Sequence, residues 1–89
     1  MNIKKIEITR HADLGHSWGE VPLELLPKKI RQQISLYSYR KRDTVFLEED
    51  CDLPLVVDYF KSEGVEVSFN WVHTNLDSPC RSYPRYKRP

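Results

Sequence analysis

Residues Ile34–Gly64, ISLYSYRKRDTVFLEEDCDLPLVVDYFKSEG, hold the change of pattern that decides the fold. Over Ile34–Arg40 and Thr44–Glu49 apolar residues alternate with period two. Past the acidic run Glu48-Glu49-Asp50-Cys51-Asp52 the period lengthens to about 3.6. Two strands joined at Lys41-Arg42-Asp43 make a tight hairpin, and a helix follows it. Asp52 stands where an N-cap belongs, and Pro54 suits a first turn. Leu53, Val56, Val57 and Phe60 form the helix's apolar stripe, and Gly64 stands at the C′ position.

On the N-terminal side, Asn2–Arg10 alternates around Ile6 and Ile8 and reads as a half-buried strand. His11–Glu20 contains two of the chain's three glycines and reads as a loop. In Pro22–Gln33, Leu23, Leu26 and Ile30 recur near helical spacing, with Pro27 imposing a kink or a fresh start. On the C-terminal side, Val65, Val67, Phe69 and Trp71 alternate as the last strand. The order β-α-β-β-α-β predicts an α+β domain of ferredoxin-like type over residues 1–73. Its four-stranded antiparallel sheet carries two helices on one face, and an α+β meander of different strand order is the competitor. Ile6, Ile8, Ile34, Leu36, Val45, Leu47, Val67 and Phe69 are the expected inward residues. Residues 74–89, with Pro79, Pro84 and Pro89, read as an extended tail rich in Tyr and Arg.

The 89-residue length allows one small core. A net charge of +1 removes global steering toward DNA or acidic membranes. No apolar run approaches the roughly 20 residues of a membrane span. With two cysteines, Cys51 and Cys80, the expected compartment is the cytoplasm, and the expected state is two thiols rather than a disulfide framework. Cys51 is expected to be half-buried and Cys80 exposed.

Strand alternation makes a functional expectation. If Val45 and Leu47 face the helices, Tyr37, Tyr39 and Phe46 face away and form an aromatic patch. Three readings follow. The tail folds back and covers the patch; or the patch binds a protein, another copy included; or it stacks single-stranded nucleic acid, helped by the basic tail. Trp18, Tyr37, Tyr39, Phe46, Tyr83, Arg85 and Tyr86 are the contact candidates, since Tyr, Trp and Arg are favoured anchors. The second strand, a long edge with no proline, is the expected route to a homodimer.

Candidate chemistry is sparse, and no catalytic residue, cofactor or metal is assigned. His11, Asp13 and His16 could hold a divalent metal for a metal-dependent enzyme, but all three fall within six residues of one loop. The acidic run 48–52 is explained by helix capping and solvation before a cation site is needed. Cys51 lies near a helix N-terminus, yet its flanking carboxylates oppose a thiolate.

His16-x-Trp18, Val21-Pro22, Ile34-Ser35-x-Tyr37-Ser38-Tyr39 and Leu47–Asp52 together resemble a group of short proteins scattered through bacteria, their phages and plasmids. The similarity runs from about residue 14 to 70. It implies a small accessory protein of mobile-element origin, a kind that often acts by binding and inhibiting or redirecting a host macromolecule. That this chain is not an enzyme is expected from its sparse candidate chemistry.

Overall fold

The computed structural model describes residues 2–89 and shows an α+β fold built on a five-stranded mixed sheet. The elements are β1 (Lys5–Ala12), β2 (Ser17–Pro22), a 3-10 turn (Leu23–Leu25), α1 (Lys28–Arg31), β3 (Tyr39–Lys41), β4 (Thr44–Glu48), α2 (Leu53–Ser62), β5 (Glu66–His73) and a second 3-10 turn (Pro79–Ser82). Strand order is β3-β4-β2-β1-β5, with β1 and β5 parallel and the other neighbours antiparallel. The four-stranded antiparallel ferredoxin-like sheet is therefore not formed. Both helices nevertheless feed one core, through Ile30 of α1 and Leu53, Val56 and Phe60 of α2.

Two misread segments account for the difference. Ser17–Pro22, expected within a loop and a helix start, is a strand between β1 and β4. Its glycine marks close packing rather than a turn. A Cβ on Gly19 would lie 2.7 Å from Leu53 Cδ1 and 3.1 Å from Ile8 Cγ2, so α2 reaches the sheet there only over a bare backbone. Conversely, Ile34–Ser38 is not a strand. Asp52 accepts hydrogen bonds from the Ser35 backbone N–H (3.0 Å), the Ser35 hydroxyl (2.7 Å) and the Ser38 hydroxyl. These bonds turn the chain, so Leu36, expected inside, is 60% exposed. Asp52 still occupies the N-cap position of α2, but its carboxylate serves this turn and makes no cap bond.

The hairpin, the long helix and its stop are as the pattern reads. β3 and β4 pair through Lys41↔Thr44 around Arg42-Asp43, with Arg42 at φ 54°. At the end of α2, Val65 N–H donates to Phe60 O (2.9 Å) and Gly64 N–H to Lys61 O (3.0 Å), with Gly64 at φ 76°. That is a Schellman stop, for which glycine carries no Cβ penalty. Ile8, Ile34, Val45 and Leu47 are fully buried and Ile6 and Val67 partly so, whereas Phe69 is 40% exposed.

Among the described residues no helix is long and apolar enough to cross a membrane.

Candidate functional site

The sheet has two faces and two edges, and the tail treats them unequally. On the face away from α2, Trp18, Tyr39 and Phe46 lie together, because β2 and β4 pair Trp18↔Glu48 and Glu20↔Phe46 while β3 pairs Tyr39↔Phe46. Alternation therefore turns Tyr39 and Phe46 away from the helices as expected. Their rings are not available, however: Trp18 is 2% exposed, Phe46 6% and Tyr39 9%.

The cover is the C-terminal segment. Tyr83 packs on Phe46 with ring centroids 5.0 Å apart, and Cys80 is buried in the same cluster. Arg81 lies over Trp18 at 4.9 Å, Arg85 over Tyr39 at 5.5 Å and Lys41 over Tyr83 at 5.0 Å, so cations close an aromatic layer. Asp13 fastens this cover. Its carboxylate accepts from Arg81 Nε (2.6 Å), Arg81 Nη2 (3.0 Å) and Ser78 N–H (3.0 Å), as well as from Gly15 and His16 N–H. The Arg81 guanidinium, followed by the Ser78 amide, holds the Asp13 carboxyl far below the usual carboxylate range.

Residues 84–86 then run along the outer side of β3. Arg40 N–H donates to Pro84 O and Tyr86 N–H to Ser38 O, both at 2.8 Å. Tyr86 is not a contact residue on the sheet face. It is 3% exposed, enters the main core and donates its hydroxyl to Arg31 O at 2.7 Å. The edge expected to serve a homodimer is thus shortened to three residues and occupied by the chain's own tail. Of the contact candidates, Tyr37 is 59% exposed and Arg85 is exposed, Tyr83 is half-buried, and Trp18, Tyr39, Phe46 and Tyr86 are buried.

Among the described residues the opposite edge is open. The Glu66 amide donates to Lys4 O (2.9 Å) and the Thr74 amide to Ala12 O (3.0 Å), with unbroken parallel register between. Even-numbered residues of β5 therefore bond inward. The N–H and C=O groups of Val67, Phe69, Trp71 and His73 point away from the sheet. Phe69, Trp71 and Val72 are 40%, 47% and 47% exposed. Arg10 sits 4.2 Å from the Trp71 ring centre, and Trp71 stacks on His73 with planes 8° apart.

His11, Asp13 and His16 do not converge on a metal. His11 Nε2 lies 2.7 Å from Glu20 Oε1, and Asp13 is engaged with the tail. His16 instead faces Glu49, with Nδ1 to Oε1 3.4 Å, and one ligand atom each from His16, Glu48 and Glu49 lie within 4.8 Å of one another. A cleft of about 380 Å³ opens beside them, bordered by His16 and Glu48 and by Trp18, Tyr37, Cys51 and Arg81.

Both cysteines are free, with exposures opposite to expectation: Cys51 is exposed and Cys80 buried. A hydrogen bond to Glu48, then burial and neighbouring carboxylates, push the Cys51 thiol up. That is the opposite of what a nucleophile requires.

Sequence reading missed Arg10, Arg81 and the open β5 edge, and it weighed the acidic run holding Glu48 and Glu49 as a cation site without His16, the residue that meets them. The β5 edge carried a signal, since Val67–Val72 contains no charge and no proline. No protein-family model, curated protein or solved structure matches the chain.

Proposed function

We propose that the chain is a small protein-binding module whose partner adds an extended strand beside β5. One observation carries this reading: an eight-residue edge strand that leaves Phe69, Trp71 and Val72 exposed next to a row of unpaired backbone groups. Edge strands are ordinarily blunted by lysine, proline, a bulge or a cover, and β5 has none of the first two within it. Main-chain donors and acceptors at a sheet edge select a polypeptide, with alternate side chains supplying specificity.

A second copy fits the same edge. Antiparallel pairing of two β5 strands about Asn70 sets Phe69 against Trp71 and Val67 against His73, and all four are outward-bonding residues. Inhibition or redirection of a host macromolecule, the role implied by the resemblance to mobile-element proteins, is binding of this kind. Single-strand stacking has less support, because Tyr39 and Phe46 lie under the tail.

A synthetic peptide of residues 65–74 serves as a probe strand, and sedimentation over a concentration series tests the second copy. Peptide binding or dimerisation is expected in the natural chain. Phe69→Pro, which removes one outward donor, should abolish it, whereas Phe69→Tyr keeps donor and ring and should retain it. A chain that stays monomeric and ignores the peptide at high micromolar concentration rejects the reading.

A further inference from the structure

We propose that His16, Glu48 and Glu49 form a binding site for a zinc-like divalent metal ion, at the mouth of the cleft between β2 and the turn Asp50-Cys51 that precedes α2. The three come from two chain segments that pairing forces together. Trp18 is registered against Glu48, and the Glu49 amide donates to Ser17 O at 3.1 Å, which puts both carboxylates beside the residue preceding β2.

Each carboxylate is already anchored by one oxygen. Glu48 Oε2 accepts from the Asp50 and Cys51 amides at 3.0 and 2.7 Å. Glu49 Oε2 accepts from the Ser17 hydroxyl at 2.9 Å and lies 3.8 Å from Arg10 Nη2. Such anchoring fixes a ligand's direction before metal arrives. The other oxygen of Glu49 faces the His16 ring at 3.4 Å.

Zinc with nitrogen and oxygen ligands at about 2.0–2.2 Å places those atoms roughly 3.4 Å apart in a tetrahedron. The observed spread, within 4.8 Å, needs only small side-chain rotations to reach that. One imidazole with two carboxylates suits zinc or a similar first-row ion better than calcium or magnesium, which take oxygen alone.

A second observation points to the same place. Trp18, 2% exposed and bordering the same cleft, carries an indole N–H that finds no acceptor. Buried donors are ordinarily paired. The ring that carries this unpaired donor stands 6.1 Å from the His16 ring. Of the charged neighbours, Arg81 is engaged by Asp13, whereas Arg10, 3.8 Å from the anchored oxygen of Glu49, opposes a cation and lowers the affinity of the site. Asp50 adds negative charge on the open side.

The test uses the full chain, freed of metal with chelator and kept reduced, with Zn²⁺ as titrant and Co²⁺ as optical probe. One equivalent should bind, and His16→Ala and Glu49→Gln should each weaken it by about tenfold or more. His11→Ala and His73→Ala should leave it unchanged. In an NMR titration the shifts should centre on His16 and residues 48–51. His16 is exposed, so unchanged circular dichroism is expected for its variant and separates lost binding from lost fold. Absence of one-equivalent binding, full binding by His16→Ala, or shifts centred on His11 or His73 would overturn the site.

Discussion

The two edges of the sheet have opposite fates. At β3 the chain supplies its own neighbour: residues 84–86 pair with 38–40, Tyr86 enters the core, and Arg85 lies across Tyr39. At β5 nothing in residues 2–89 occupies the outer backbone groups, although the strand is longer and carries larger exposed side chains. A chain that covers one edge with residues 80–86 has the means to neutralise an edge. That the other is left uncovered among residues 2–89, with Trp71 and Phe69 on it, is the property on which the proposal of strand binding at β5 rests. It also shows why an aromatic strand pattern alone does not locate an interface: the rings that alternation directed outward are those the tail covers.

The largest effect is expected from removing the tail's anchor. Tyr86→Ala empties a buried aromatic site and leaves Arg31 O without its donor, and should cost about 3–5 kcal/mol. Urea unfolding measures it, and a change below about 1 kcal/mol would mean the tail is not part of the core.

Next comes Asp13→Asn, which breaks a charge-assisted pair and should cost about 1.5–3 kcal/mol. Limited proteolysis at Arg81 and Arg85 should accelerate while the β1–β5 half stays protected. The pH dependence has a definite sign. A carboxyl whose folded pKa is depressed contributes stability above its unfolded value, near 4, and loses it as pH falls toward the folded value. Docking of the tail should therefore be flat from pH 8 to pH 5 and weaken only in stronger acid. Asp13→Asn should remove that acid limb, and a midpoint near neutrality would contradict the assignment.

Trp71→Ala lies on the open edge and should change stability by less than about 1 kcal/mol while lowering affinity for the probe strand. A large loss of stability instead would mean that Trp71 is a core residue. The smallest effect is expected at the hairpin. Arg42→Gly relieves a positive φ and should be neutral or stabilising by about 1 kcal/mol, read as a shift in the unfolding midpoint.

Much of the fold was legible wherever local pattern and tertiary partner agree. The hairpin at Arg42-Asp43, the stripe of α2 and the stop at Gly64 are all set by residues within one turn or one strand of each other. What failed depends on distant partners. Gly19 reads as a loop residue unless Leu53, which passes over it, is known. Ile34–Ser38 alternates like a strand, but the buried carboxylate of Asp52, a dozen or more residues away, bends it. The parallel placement of β5 beside β1 is a choice of topology that no local spacing records.

For the site, side-chain direction at Tyr39 and Phe46 was readable and their accessibility was not. Cover by residues 80–85 rests on the Asp13–Arg81 pair, which is 68 positions apart in the chain. His16 was singled out with the wrong companions, because loop neighbours were weighed and the strand pairing that delivers Glu48 and Glu49 was not.

Amide hydrogen exchange at the two edges tests the contrast most directly. In the dilute chain, Val67, Phe69, Trp71 and His73 should exchange fast while Arg40 and Tyr86 are protected. Adding the 65–74 peptide, or raising protein concentration, should slow the first four and leave the other two unchanged. Protection of the β5 amides in the dilute chain, or no slowing under either condition, would contradict an open edge that accepts a strand.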